Sequence, residues 1–440
     1  MAMGLLSNDM LAVYGLPLLV ILLYYVHNKQ RLERKNLAAQ QDEIEAGLTE
    51  PVSLHPKINP STCIGCASCV RACPEQNVLG LIDGKGQLVA PTNCIGHGAC
   101  ATACPVDAIS LVFGTETRGV ELPILQPNFE TNVPGIFIAG ELGGMGLIRN
   151  AVEQGKQAMT AIAERLAAQG KRPGARDVVI VGAGPAGLSA SLAAMERGLN
   201  YVTLEMESLG GAIVHHPRGK VITTMPVVLP LVGRMKFREV SKEELLAYWQ
   251  DIERRTGVQI RYGERVGSVT RDTEGFTVTT QKGAYQTRAI LLAIGRRGIP
   301  RKLDVPGEDL SKVVYWLDNP EQYRSRRVLV VGGGDSALEA ATTLGAVHGT
   351  TVTLSYRGEA FTRTKRKSRE KLHAAQQAER VQVLLASHVR HIRDADILME
   401  QTGRELILEN DAVIVCAGGE LPTPFLKAIG VEVETKYGTS

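Results

Sequence analysis

The sequence predicts an α/β chain, and three observations carry that expectation. Two apolar strands run into glycine-rich turns and Ala-rich helices at 178–197 and 327–345; seven of the eight cysteines fall between Cys63 and Cys104; and Met10 to Val26 is apolar or small except for its tyrosines. The first reads as two Rossmann-like dinucleotide-binding domains, the second as a small α+β domain, and the third as one N-terminal transmembrane helix. At 440 residues the chain has room for about three domains of roughly 150 residues. Its 49 basic and 46 acidic residues leave a net charge of +3, which is no footprint for a polyanion, so no nucleic-acid partner is expected.

The N-terminal run is taken first. At about 1.5 Å per residue, Met10 to Val26 spans about 26 Å, close to a thin bilayer core. Pro17 is a candidate kink, and Tyr14, Tyr24 and Tyr25 suit an interface. Asp9 precedes the run and Lys29, Arg31, Arg34 and Lys35 follow it, which places the rest of the chain on the cytoplasmic side. A cleaved signal peptide would carry its basic flank before the run. A buried core helix is the other reading of this length. The expectation is therefore a single-pass inner-membrane anchor over 1–28, with catalytic domains facing the cytoplasm. Residues 29–56 read as a solvated helical stalk and linker, because 29–50 shows no apolar face and Pro51, Pro56 and Pro60 follow.

Residues 57–113 form the cysteine domain. Cys63-x2-Cys66-x2-Cys69-x3-Cys73-Pro74 recurs 31 residues later as Cys94-x2-His97-x2-Cys100-x3-Cys104-Pro105. Three thiolates at that spacing wrap one iron–sulfur cubane while the fourth reaches the other cluster. A zinc site seldom adds a third cysteine after a CxxC pair and then repeats the arrangement. The crossed assignment gives Cys63, Cys66, Cys69 and Cys104 to one cluster, and Cys73, Cys94, Cys100 and His97 to the other. The domain resembles bacterial two-cluster 4Fe-4S ferredoxins, with His97 as the departure. As a neutral ligand in place of a thiolate, His97 would raise the second cluster's potential. Two other readings stay open: a 3Fe-4S cluster without His97, or an exposed histidine beside a degenerate site.

Two nucleotide motifs follow. Gly182-Ala-Gly184-Pro185-Ala186-Gly187 ends a strand and opens a helix, and Glu205 closes the next strand where an adenosine-ribose partner belongs. Gly210-Gly211 suits a close pass under a flat ring. The second motif is Gly332-Gly-Gly334-Asp335-Ser336-Ala337, and its next strand ends in Tyr356-Arg357 rather than an acid. Arg357, with Arg363, Lys365 and Arg366 nearby, suits a 2′-phosphate, so NADPH is favoured over NADH. The competing reading of 363–369 is a solvated basic face.

From about 119 to 440 the chain resembles the thioredoxin-reductase-like flavoproteins of the pyridine nucleotide-disulfide oxidoreductase superfamily. Besides both glycine motifs it has their crossover segments, Ala293-Ile-Gly295 and Ala417-Gly418, and their flavin-closing segment, Thr131-Asn-Val-Pro-Gly-Ile-Phe-Ile-Ala-Gly140-Glu141. The resemblance implies FAD, with Gly140 and Glu141 near its ribityl and pyrophosphate; the family usually has Asp where Glu141 stands. In the family that segment lies near the C-terminus, whereas here it precedes the first glycine motif, so the flavoprotein reads as circularly permuted. The implied organisation is a closing segment over 119–168, an FAD domain over 174–296, an NAD(P)H domain over 297–425 and a tail over 426–440. The family's redox Cys-x-x-Cys is missing from the matching stretch, Val313 to Arg327, and Cys416 is solitary. His215 and His216 lie in a segment that resembles bacillithiol-disulfide-reductase-like relatives.

The expected function is an NAD(P)H-dependent oxidoreductase that passes electrons between NAD(P)H, FAD, two iron–sulfur clusters and a membrane redox complex, cytochrome or quinone, with a homodimer possible. No side chain is assigned as a catalytic acid or base. The alternatives are a flavin-dependent reductase of a small disulfide or other organic acceptor, and an electron-transfer subunit of a larger membrane complex.

Overall fold

The computed structural model describes residues 11–45, 51, 54–75, 77–94, 96, 98–116, 119–144, 146–169, 172–224, 226–273, 275–296, 298–361 and 364–438. Two compact units emerge: Met1–Thr115 with Gly438–Ser440, and Glu116–Tyr437.

The first described element of this unit is a π-helical turn, Leu11–Gly15, that runs into a 30-residue α-helix, Leu16–Glu45. The change of winding falls just before Pro17, the residue expected to kink the run. This helix corrects the transmembrane expectation. No helix among the described residues is long and apolar enough to cross a membrane. The apolar stretch stops at Val26, and the same helix continues without a break through Lys29, Arg31, Glu33, Arg34 and Lys35. The single-pass inner-membrane location falls with it. The solvated stalk is corrected too: Glu33, Asn36 and Gln40 hydrogen-bond to the cysteine domain, and Glu43 is buried.

In that domain His55–Ile58 pairs antiparallel with Ile109–Val112, and Leu79–Ile82 pairs with Lys85–Leu88 as a hairpin. The 31-residue repeat recurs in the backbone. Gly65 and Gly96 both have positive φ (69° and 78°), and the short helices Ser68–Ala72 and Ala99–Thr102 both start from left-handed caps, Ala67 and Gly98.

The second unit holds two α/β sheets. In the first, the strand order is Ile260–Tyr262, Tyr201–Glu205, Arg176–Val181, Gly283–Leu292, Phe276–Thr280, Val266–Arg271. Ile136–Ile138 lies parallel to the C-terminal end of Gly283–Leu292, with Ile290 opposite Ile136. Val178 to Ile180 is fully buried, as central parallel strands covered on both faces are. Helix Ile148–Ala167 packs on helix Pro185–Glu196 at its glycine: a Cβ at Gly155 would overlap the Ala186 carbonyl. The buried Arg288 guanidinium donates to Leu166 O (2.9 Å), Gln169 O (2.8 Å) and Asp177 Oδ1 (2.9 Å), pinning the helix end beside the strand that starts at Arg176. The 119–168 segment is thus built into the sheet of the glycine turn that follows it. Helix Lys242–Thr256 opens with a Ser241/Glu244 capping box and stops at Gly257, whose φ is 66°.

The second sheet is parallel, in the order Val313–Val314, Ala412–Val415, Arg327–Val331, Thr351–Ser355, Val381–Leu384, and is followed by an antiparallel meander over 387–409. Val433–Lys436 pairs antiparallel with Val120–Pro123, with Lys436 opposite Val120. The architecture is mixed α/β with two Rossmann-like sheets and a small α+β domain.

Candidate cofactor sites

The cysteines sort into two cavities. One is lined by Cys63, Cys66, Cys69 and Cys104, the other by Cys73, Cys94 and Cys100. Each Cys-rich loop can curl round its cavity because Gly65 and Gly96 take left-handed conformations closed to most side chains. Burial pushes the thiols of Cys69, Cys73 and Cys94 upward and that of Cys100 to about 11, while the Ser68 hydroxyl beside Cys66 lowers it. Buried thiols that resist ionisation in protein alone ionise beside a bound cation, which suits iron ligation. Cys63 Sγ accepts from Gly86 N (3.4 Å) and Cys104 Sγ from Ala108 N (3.2 Å), as cluster-bound sulfurs do. His97 lies outside the described residues, so the second cavity shows three of its four expected ligands.

At the first glycine turn, Gly182 has φ 101° and a Cβ there would come within 2.5 Å of Ala293 O. A Cβ at Gly187 would overlap Gly182 O, so this glycine lets helix Pro185–Glu196 sit on the strand end. Pro185 fills the first helical position and no side chain caps Gly184, which leaves the helix N-terminus open to an anion. Gly211 passes directly over the turn: a Cβ on it would lie 3.1 Å from Gly184 Cα.

Glu205 is buried, and its carboxylate accepts from Ala183 N (2.7 Å) and Glu207 N (2.8 Å). Burial raises its pKa and those two amides oppose the rise. Each oxygen keeps acceptor capacity for a ribose hydroxyl. Gly140 (φ 85°) abuts buried Ala186 and donates its N–H to Gln154 Oε1 (2.8 Å), a contact the motifs do not reveal. Glu141 is exposed, and its carboxylate lies about 3.9 Å from where a Gly295 Cβ would stand. Gly140, Glu205 and Gly211 are therefore each in direct contact with the 182–187 turn, through Ala186, Ala183 and Gly184 respectively.

The second turn is built alike. A Cβ at Gly332 would meet the Cys416 carbonyl and, at 3.0 Å, Ala337 Cβ, whereas one at Gly334 would meet nothing within 4 Å. Helix Asp335–Leu344 starts there without a side-chain cap on Gly334; Ser336 is exposed and Ala337 buried. Asp335 Oδ1 accepts from Lys365 N (2.9 Å), tying the basic segment to the turn. Tyr356 lies flush on Gly333 and stacks on Phe361 at 5.3 Å, and Arg357 is exposed next to it. Arg363 lies outside the described residues.

Residues 313–327 contain no cysteine; Trp316 from that stretch lies 4.6 Å from His215, whose Nε2 is 2.8 Å from Glu207 Oε2. Lys242, buried, donates to His216 O (2.6 Å) and Asp318 Oδ1 (3.2 Å). Motif reading could not find these contacts, which join residues far apart in sequence.

Residues 179–439, more than half the chain, match the family model described as pyridine nucleotide-disulphide oxidoreductase. The chain belongs to that family. Residues 55–105 match a 4Fe-4S dicluster domain. The chain is 29% identical over 269 residues to a ferredoxin–NADP reductase of Ignicoccus hospitalis, covering 59% of this chain and 83% of that protein. It is 31% identical over 255 residues to one of Thermus thermophilus, covering 55% and 72% respectively. Among solved structures it is similar to the bacillithiol disulfide reductase Bdr of Bacillus cereus, with 27% identity, TM-score 0.51, and coverage of 58% of this chain and 82% of that one. This pyridine nucleotide-disulphide oxidoreductase is an NAD(P)H-dependent flavin enzyme carrying an iron–sulfur domain.

Proposed function

We propose that the protein passes electrons between NADPH and a separate one-electron redox partner such as a cytochrome, with FAD at the first glycine turn and two iron–sulfur clusters at the cysteine string. The observation that carries this reading is the division of seven thiols into two cavities, in a chain with no cysteine between 313 and 327. A flavin supplies the exchange between two-electron and one-electron chemistry. The protein's own residues bind and orient. The amides at the N-terminus of helix Pro185–Glu196 meet the pyrophosphate, Glu205 accepts from the adenosine ribose, and Gly140, Glu141, Gly210 and Gly211 admit the rest of the dinucleotide. At the second site Gly332, Gly334, Asp335, Ser336 and Ala337 form the turn, and Arg357 with Arg363 meets the 2′-phosphate and selects NADPH.

Cys63, Cys66, Cys69 and Cys104 hold one 4Fe-4S cluster; Cys73, Cys94 and Cys100 hold the other, with His97 as fourth ligand. Replacing His97 with Cys then lowers one cluster potential, and unchanged redox titrations would exclude ligation. We also read the order of segments as a circular permutation: the pairing of Ile136–Ile138 with Ile290–Leu292, and of the two segments Val120–Pro123 and Val433–Lys436, supports it.

Anaerobic mixing with NADPH tests the whole. Bleaching of the flavin band followed by an iron–sulfur electron paramagnetic resonance signal is expected. Clusters that stay oxidised while NADPH is consumed with a small disulfide would favour a disulfide reductase instead, the activity named for the similar Bacillus enzyme.

A further inference from the structure

The hairpin Leu79–Ile82/Lys85–Leu88 contributes no cysteine, yet it closes over the first cluster cavity. Leu81 and Gly86 line that cavity. Gly86 N donates to Cys63 Sγ (3.4 Å), and Lys85 Nζ donates to Cys63 O (2.6 Å). A Cβ at Gly86 would stand 3.5 Å from Cys69 Sγ and 3.8 Å from Cys63 Sγ, so the bare backbone faces the sulfurs. The turn residues Asp83 and Gly84 both have positive φ (53° and 68°), the form a two-residue hairpin loop favours. The Gly84 carbonyl packs on Gly65 within the Cys63–Cys66 loop.

A lone two-stranded hairpin is marginally stable, so something must hold this one in place. Leu79 and Leu88 pack it into the apolar core of the cysteine domain, and the N-terminal helix Leu16–Glu45 adds hydrogen bonds along it. Glu33 Oε1 accepts from Asp83 N (2.7 Å), Asn36 Nδ2 donates to Leu81 O (3.0 Å), and Gln40 Nε2 donates to Leu88 O (3.5 Å). A Cβ at Gly80 would come within 2.7 Å of the Asn36 amide, which shows how closely helix and strand approach. Glu33, Asn36, Gln40 and Glu43 recur at three- and four-residue spacing, one stripe of the helix. Leu79 of the hairpin also lines the second cavity, but among the described residues the hairpin donates no hydrogen bond to Cys73, Cys94 or Cys100, and its hydrogen bond to sulfur goes to Cys63.

We propose that the N-terminal helix is a positioning element for the first cluster: through Glu33, Asn36 and Gln40 it locks the hairpin so that the Gly86 amide points at the Cys63 sulfur, raising that cluster's reduction potential selectively. A hydrogen bond to a cluster sulfur favours the more negative, reduced state. The inference rests on the reading of the two cavities as cluster sites.

The test uses full-length protein reconstituted anaerobically with iron and sulfide. It compares wild type, the triple variant Glu33→Ala/Asn36→Ala/Gln40→Ala, and Glu33→Gln, which keeps an acceptor oxygen. Cluster potentials are read by redox titration with paramagnetic resonance, signals being assigned with Cys100→Ser, and hairpin motion by hydrogen exchange over 79–88. The triple variant should exchange faster in the hairpin and show a lower potential for the first cluster alone, with Glu33→Gln like wild type. If the triple variant sheds iron, loss confined to the first cluster supports the proposal, and equal loss from both overturns it. Faster exchange with both potentials unchanged overturns it as well. A wild type that takes up no iron sinks the cluster reading itself, and the proposal with it.

Discussion

Gly187 has no room for a side chain at the first glycine turn. Because a Cβ there would overlap the Gly182 carbonyl, Gly187→Ala must push the helix off the strand end, at about 1–3 kcal/mol for overpacking. The purified variant should show a reduced flavin-to-protein ratio. Glu205 was legible as a strand-end acid after a glycine turn; its bonds to Ala183 N and Glu207 N were not, since they depend on how the loops close. Glu205→Ala should weaken FAD binding by roughly ten- to a hundredfold, as loss of charge-assisted hydrogen bonds of about 1.5–3 kcal/mol implies; equilibrium flavin titration checks it. Arg357→Ala should raise KM for NADPH by about tenfold and leave that for NADH nearly unchanged, the mark of a lost 2′-phosphate contact. Steady-state kinetics with both nucleotides decides this.

Helices and strands were legible wherever their signal was apolar periodicity. The Val178–Val181 and Val328–Val331 strands, each followed by a glycine turn, are of that kind. The stripe Glu33, Asn36, Gln40, Glu43 is not legible as a contact face because it binds through polar side chains, which leave no trace in a hydrophobicity pattern. The Asp83-Gly84 pair between apolar residues is a hairpin signal carried by the sequence.

Strand-end electrostatics offers a pH test. Arg327 pairs with Asp411 (2.7 Å) and Glu409, and its guanidinium holds the Asp411 carboxyl down at about 2, against an ordinary 3.8. A depressed carboxyl contributes stability that is present above about pH 4 and lost as the pH falls towards 2. The pair is a third or more exposed, so solvent screening keeps the contribution small. Asp411→Asn should therefore lower the melting temperature slightly at pH 7 and not at pH 2, in parallel thermal melts.

For the molecule as a whole, the proposed permutation makes the strongest prediction. Val120 stands opposite Lys436, so a two- to four-residue turn can join those ends. A chain starting near Ala175, running to Tyr437 and continuing through such a turn into 119–168, should still bind FAD. A reordered protein that folds without flavin would count against the permutation.

By itself the sequence determined the cofactor chemistry. Cysteine spacing and glycine turns act over a few residues, where backbone sterics and ligand reach leave few alternatives. Only the tertiary structure decided that the N-terminal helix runs on through its charged half and braces the Asp83–Gly84 turn, that Gln154 holds Gly140, and that Arg288 pins the closing helix to the first sheet. Those decisions rest on side chain to backbone hydrogen bonds between segments far apart in the chain, which no local pattern encodes.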